Sequence, residues 1–429
     1  MWGYFCYTKC VMKEKKKSFW QRLGPGFITG AADDDPSGIA TYSQTGAMFG
    51  FSHLWVALFT FPLMLIVQEM CGRIGTVTGE GLSGVIRKFY SKKVLAIALV
   101  LLLGANTINI GADLGAMASA MNMVFGLPFA LWLVMITMSS LLLQILVSYS
   151  TYAKFLKYLT LSLFAYVLAA FVIKQDWSLI LQTTFTPSFT FDKTSITNIV
   201  AILGTTISPY LFFWQADEEV EEQIAHHKIL GFGMGKPKLS KQDFKDLWID
   251  TGIGMLFSNL VMFFIMVTVA STIGANGPVT IDTATQAAQA LRPLVGDFAY
   301  LLFAAGIIGT GLLAVPILAG SASFAVSEAF GWSGGLEKKF QDARGFYGVM
   351  IAAMLIGFLV NFLGIPPFQM LYHTAVLNGL AAPILLVLIL NISNNKKIMG
   401  KHTNGILSNI LGVFITLAMT AAGLSLFIF

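Results

Sequence analysis

Apolar residues run in stretches of about 20, the length that crosses a bilayer as a helix. Eleven such stretches follow one another: 24–47, 53–72, 94–120, 128–149, 156–174, 197–216, 250–273, 296–320, 346–363, 368–392 and 406–428. They are too long and continuous for the alternating strands of a membrane barrel. The pattern predicts an all-α polytopic membrane protein with eleven spans. The positive charges check the count. With the N-terminus in the cytoplasm, 24 of the 27 Lys and Arg fall in inside segments, and only Lys174, Lys193 and Arg292 lie outside. Cytoplasmic loops are enriched in Lys and Arg, and a missed or extra span would scramble this sorting. The expectation is a plasma or inner membrane protein with its N-terminus inside and C-terminus outside.

Between the spans the reading is plainer. Residues 1–23 carry a Lys cluster with no apolar core before it, so they read as a cytoplasmic segment rather than a cleavable signal. Met12 opens a more usual-looking start. The connection 217–247 mixes seven acids with five Lys and reads as solvated, as do Glu80 and Arg87 in the second inside loop.

Composition narrows the class. Of 429 residues, 56% are hydrophobic and 11% charged, against about 25% charged in soluble domains. That excludes an ordinary soluble enzyme, a disordered chain and a nucleic-acid binder. The 41 Gly suggest closely packed helices. Cys6, Cys10 and Cys71 cannot build a disulfide framework, and the His226–His227 pair is too remote from them for a zinc site. The spans hold no HExxH or nucleophile–base constellation, so neither an enzyme nor a cofactor is expected.

Two spans are interrupted at matching depth. The first carries Asp33-Asp34-Asp35-Pro36-Ser37-Gly38 in its middle. Ionised carboxylates there cost several kcal/mol each unless paired, bound or watered (about 3 on insertion scales). Pro36 removes a backbone donor and Gly38 relaxes the chain, so the helix should unwind and leave carbonyls free beside the acids. The sixth span has a second break at Gly204-Thr205-Thr206-Ile207-Ser208-Pro209-Tyr210. Because the breaks lie five spans apart, the two repeats have opposite orientations. This is the pattern of five-plus-five inverted-repeat (LeuT-like) transporters, with the site between the breaks. The repeats are then about 24–174 and 197–392, with residues 393–429 adding the eleventh helix.

Other polar residues inside spans extend the candidate set. Asn106, Asn109 and Asp113 share one face of span three, lining a pathway or pairing with a neighbouring helix. Asn378 precedes a flexible, Pro-marked stretch of span ten and is a further site candidate. His373 reads as structural and near the outer end. Glu69 and Glu328, near cytoplasmic helix ends, read as caps or Arg partners.

These residues resemble a known family. The run from Gly24-Pro25-Gly26-Phe27 to Asp35-Pro36-Ser37-Gly38-Ile39-Ala40-Thr41 resembles the first helix of the NRAMP divalent metal transporters, where an Asp-Pro-Gly-Asn motif stands. Gln68-Glu69-Met70-Cys71-Gly72-Arg73 through Gly79 resembles the close of that family's second helix, and the second break its Met-Pro-His motif. The resemblance implies Asp35 as the motif Asp, Gly38 in place of the motif Asn, and Ser208 in place of the thioether Met. It puts the backbone-carbonyl ligand at Thr205, and Tyr210 and Gln215 where the family has His residues linked to proton movement.

The departures resemble the NRAMP-related magnesium transporters; a related aluminium-transporting branch also lacks the Met. A thioether suits softer metals, whereas carboxylate, hydroxyl, carbonyl and water suit hard ions. The expected function is uptake of Mg²⁺, with Mn²⁺ as a second substrate, without proton coupling. The alternatives are a proton-coupled Mn²⁺/Fe²⁺ symporter and an organic-solute transporter on the same fold. The expected ligand set is Asp34, Asp35, Gly38, Thr205, Ser208 and Asn378. Asp33, Asn106, Asn109, Asp113, Tyr210 and Gln215 form the pathway. Besides the metal substrate and the lipid bilayer no partner is expected, and no nucleic acid.

Overall fold

The computed structural model describes residues 24–147, 151, 160–235 and 237–428. The N-terminal segment, the start of the fifth run and Lys154, Lys157 and Lys236 lie outside the described residues. A helix or a broken pair of helices falls on every apolar run. In chain order these are α1 (Pro25–Asp33), α2 (Pro36–Phe49), α3 (Trp55–Thr78), α4 (Leu82–Phe89), α5 (Lys92–Phe125) and α6 (Phe129–Leu146). Then come α7 (Phe164–Val172), α8 (Trp177–Phe185), α9 (Lys193–Thr206), α10 (Pro209–Ala225) and α11 (Lys241–Thr272). The last are α12 (Ala299–Phe330), α13 (Arg344–Val360), α14 (Pro367–Asn394) and α15 (Ile406–Ser425). Among the described residues, eight helical stretches are long and apolar enough to cross a membrane. The first span is split into α1 and α2, α13 is shorter at 17 residues, and the fifth run is described only in part.

Helix α2 packs on α11, and α10 packs on α3. Exchanging the first five spans with the next five turns one contact into the other. The pair α5–α12 maps onto itself under the same exchange. The broken helices form the centre: α2 is buried from Pro36 to Ala47, and α10 from Pro209 to Glu218. A helix shielded on all sides belongs in a protein interior rather than at a lipid-facing surface. The outer helix α15 instead leaves Ile406, Leu407, Ile410, Phe414 and Leu417 exposed, as a lipid-facing side requires.

Glycine sets the closest approaches. A Cβ on Gly30 would stand 2.2 Å from the Gly254 carbonyl, and one on Gly204 would stand 2.0 Å from the Ala375 carbonyl. Both pairs of helices therefore touch backbone to backbone, as small-residue membrane interfaces do. The start of α1 is also held electrostatically. Asp250 of α11 accepts hydrogen bonds from Gly24, Gly26 and Phe27 N–H at 2.8, 2.7 and 3.1 Å. It caps a helix 223 to 226 residues away in sequence, satisfying donors that have no partner within α1.

Three sequence expectations are corrected. The acids of 217–222 are not a solvated connection, because α10 continues to Ala225 and buries Asp217 and Glu218 against its neighbours. The linker shrinks to 226–240, where Ser240 caps α11 in a capping box with Asp243. Glu80 is not a surface group: it is 8% exposed and ion-paired with Lys88. The stretch after Asn378 is not loosened, since Pro383 sits inside a continuous α14.

Candidate functional site

The first break is a helix restart. Helix α1 stops at Asp33, and Asp34 leaves helical geometry. Asp35 takes an extended backbone and becomes the N-cap of α2, with Pro36 in the first helical turn. Its Oδ1 accepts from Gly38 N–H at 2.8 Å and Ser37 Oγ at 2.6 Å. Asp at the cap with Pro after it is the usual chemistry of a helix start, so Asp-Pro-Ser-Gly writes the break into the sequence. The second break repeats it more weakly. Helix α9 ends at Thr206, Ser208 is extended, and Pro209 opens α10 without a side-chain cap.

The breaks face each other. Thr205 Oγ1 lies 3.4 Å from Ser37 Oγ, and Tyr210 Oη donates to the Ala32 carbonyl at 3.0 Å. That carbonyl belongs to the last turn of α1, which has no partner of its own. Ser208 Oγ turns back onto the Gly204 and Thr205 carbonyls at 2.7 and 2.8 Å. The expected Thr205 carbonyl thus shares one hydroxyl proton with Gly204. Gly38 offers no side chain, and its N–H is committed to Asp35.

Helices α5, α11 and α14 supply the rest. Asn109 donates to Asp35 Oδ2 at 2.9 Å and to Asp113 Oδ2 at 3.2 Å. Asn378 donates to Asn109 Oδ1 at 3.4 Å. Ser258 of α11 reaches Asp33 Oδ2 at 2.5 Å and Asp34 Oδ1 at 3.3 Å. One hydroxyl carries one proton, so it serves one of the two at a time. Asp33, Asp34, Asp35 and Asp113 are each no more than 1% exposed. Among the described residues none of them forms an ion pair. Asp33 Oδ1, Asp34 Oδ2 and Asp113 Oδ1 accept no hydrogen bond. Buried charge without a partner is strongly unfavourable, so these atoms call for a proton or a cation. Among the described residues no three His, Cys, Asp or Glu are arranged as a complete metal-ligand set.

Of the sequence candidates, Asp33, Asp34, Asp35, Gly38, Thr205, Ser208, Tyr210, Asn109, Asp113 and Asn378 therefore lie on or between the breaks. Two stand apart. Asn106 turns to α12, donating to the Leu318 carbonyl at 2.9 Å and Ser321 Oγ at 2.8 Å. Gln215 lies further along α10 and donates to Glu219 at 3.0 Å. Ser258 was not singled out from the sequence; its signal was a Ser-Asn pair in the middle of an apolar run, at 258–259.

Two opposed repeats, each broken in its first span and sharing a cluster of buried acids, make a membrane transporter of the LeuT-like class rather than an enzyme. Similarity to known proteins narrows the class. The model of natural resistance-associated macrophage protein-like (Nramp) proteins matches residues 26–429, and the chain belongs to this family. It is 25% identical over 437 residues to the divalent metal cation transporter MntH of Caldanaerobacter subterraneus, covering 96% of this chain and 94% of that one. It is likewise 25% identical over 409 residues to MntH of Yersinia pestis, covering 92% and 91%. Among solved structures, the Eremococcus coleocola manganese transporter superposes with a TM-score of 0.75 at 16% identity, over 96% of this chain and 87% of that one. MhsT in complex with L-phenylalanine superposes at 0.55 and 13% identity, over 94% and 97%.

Proposed function

We propose that this chain carries divalent metal ions across the membrane between the two breaks, with Mg²⁺ as the preferred ion. One observation carries the reading: three buried carboxylate oxygens have no partner, on Asp33 and Asp34 at the end of α1 and on Asp113 beside Asn109 of α5. The side chains there offer carboxylate, hydroxyl and amide oxygen, the donor set of hard ions. Mg²⁺ keeps several waters and binds through one or two carboxylates, which suits a group of acids without a complete protein ligand set. Asp34, Asp35, Gly38, Thr205, Ser208 and Asn378 are the proposed contacts, direct or through water. Asp33, Asn109, Asp113 and Tyr210 line the approach. Both MntH relatives are named for divalent metal cations, which supports the metal and leaves the choice of ion to the donor set.

The chain moves Mg²⁺ inward down its gradient and the membrane potential, with residues 1–23 in the cytoplasm and repeats spanning 24–174 and 197–392. Tyr210 and Gln215 do not titrate near neutral pH, so no imidazole relays protons on this helix. Proteoliposomes loaded with a pH-sensitive dye test both halves. Mg²⁺ influx without acidification, and reduced by external Mn²⁺, is the expected result. A second reading, a proton-coupled Mn²⁺ symporter, is favoured by the unpartnered Asp113 oxygen. It requires acidification that scales with influx and disappears in Asp113→Asn.

A further inference from the structure

Beyond the second break the chain buries acids that stand apart from the two breaks. Asp217 of α10 is 1% exposed, and neither of its carboxylate oxygens accepts a hydrogen bond. Oε1 of its neighbour Glu218 is also buried and unpartnered. The charged groups that face Asp217 are Glu328, Glu218 and Glu221, all acidic. Glu328 of α12 reaches to the start of α4, accepting from Gly81 N–H at 2.7 Å and Gly84 N–H at 2.9 Å. A Cβ on Gly81 would stand 1.7 Å from Asp217 Oδ1 and 2.6 Å from Glu328 Oε2. Carboxylates from two different helices thus close on one point. The nearby bases are engaged elsewhere: Lys88 with Glu80, Arg87 with the Glu328 carbonyl at 2.9 Å, and Lys338 with Ser333 at 3.1 Å.

The position on α10 matters as much as the charge. Tyr210, Trp214, Asp217 and Glu221 follow at i, i+4, i+7 and i+11 and share one helix face. Tyr210 begins that face at the break, and Asp217 lies about 14 Å along the axis from Ser208, nine residues at about 1.5 Å each. Fully buried Trp214 stands between, packed edge-on against Phe324 with ring centroids 6.4 Å apart.

We propose that Asp217, with Glu328 beside it, binds a second hydrated divalent cation at the end of the bundle where α1 begins. In the orientation proposed above this end is cytoplasmic, and the station receives the ion once it has passed Trp214. The proposal rests on the reading of the chain as a divalent-ion carrier. Two carboxylates and retained water match what Mg²⁺ asks of a protein site. An isolated buried carboxylate facing only other acids is too costly to stand unneutralised, and a divalent cation neutralises two at once.

Iron-directed cleavage maps the station in the unmutated protein. Purified protein in nanodiscs is loaded with Fe²⁺ and treated with ascorbate and peroxide, so that hydroxyl radicals cut the backbone beside each bound ion. Cuts are expected near 80–84 and 217–221, suppressed by excess Mg²⁺, retained in Asp35→Ala and lost in Asp217→Asn. Mn²⁺ binding measured alongside should fall from two ions per chain to one in Asp217→Asn. Cuts confined to residues 33–38 and 205–210, or two ions still bound by folded Asp217→Asn, would overturn the proposal. Cuts near 80–84 and 217–221 without any at the breaks count against the central site and leave this one standing. If Asp217→Asn does not fold, the cleavage pattern of the unmutated chain decides.

Discussion

Among single residues, Asp35 does two jobs that its neighbours do not. It caps α2 through Oδ1 and ties α5 to the break through Oδ2, while Asp33 and Asp34 keep oxygens free. Substitutions separate the jobs. Asp35→Asn preserves a good cap but removes the charge, so transport should be lost with little change in melting temperature. Asp35→Ala should lose transport and also cost about 1 kcal/mol for the cap, read as a lower unfolding midpoint in detergent. Full uptake by Asp35→Asn would remove Asp35 from the proposed site. Ser208→Met tests ion choice. It places a thioether beside the buried acids and frees the Gly204 and Thr205 carbonyls from the single hydroxyl proton they now share. Competition for uptake should shift toward Mn²⁺ or Cd²⁺ relative to Mg²⁺; an unchanged ratio would mean that Ser208 does not meet the ion. The acids and the breaking prolines were legible because such residues are out of place in apolar runs. The split between Asn106 and Asn109 was not. Helical phase gave them one face but could not say that α12 covers part of it.

At the scale of elements, the two broken helices depend on neighbours that approach without side chains between them. Gly204→Ala would drive a Cβ into the Ala375 carbonyl at 2.0 Å. It should separate α9 from α14, lowering both stability and transport. Gly104→Ala in α5 is the control, since nothing lies within 4 Å of its Cβ position. Removing a helical Gly there should stabilise by about 0.5–1 kcal/mol, and a matching loss in both variants would refute the packing argument. The turn before α3 holds a second joint. His53 stacks on Phe49 with ring centroids 4.2 Å apart and bonds Ser195 at 3.1 Å and Asn198 at 3.0 Å on α9. His53→Ala leaves both partners buried and short of a hydrogen bond, at about 1–3 kcal/mol. The outcome to measure is a lower unfolding temperature without a change in ion preference. The span pattern located the described spanning helices but mislaid the ends of the sixth, seventh and eighth. Acid-rich turns read as loop unless a partner surface is known to receive them, and for Asp217 and Asp250 that surface is tertiary.

For the whole molecule, the sorting of Lys and Arg makes a topological prediction. A cysteine introduced at Lys396, an exposed residue in the short helix Lys396–Met399 between α14 and α15, in a chain with Cys6, Cys10 and Cys71 replaced, should react with a membrane-impermeant maleimide only from the cytoplasmic side. Labelling from outside in intact cells would reverse the orientation and with it the direction assigned to the acidic end. Transport should also sense voltage. An inside-negative potential favours a divalent cation by about 4.6 kcal/mol per 100 mV, twice the single-charge value. Mg²⁺ influx into liposomes should therefore rise as a potassium diffusion potential is made more negative. A flat response would show that a counter-ion moves with each Mg²⁺.

The sequence alone determined the number of apolar runs, the places where two of them break, and the acids at the first break. Each is a local property. A bilayer demands a fixed length of apolar chain, Pro denies a helix its donor, and an ionised side chain in hydrocarbon has to have a reason. Tertiary structure decided which atoms remain unsatisfied. Asp35 is fully hydrogen-bonded while Asp33, Asp34 and Asp113 are not, because Ser37, Gly38 and Asn109 converge on the first and too few donors reach the others. It also turned acid-rich helix ends into buried ones, since Asp217, Asp250 and Glu328 pack against residues more than a hundred positions away. A donor's distance along the chain says nothing of its distance in space, so only the packed bundle shows which carboxylates are left for an ion.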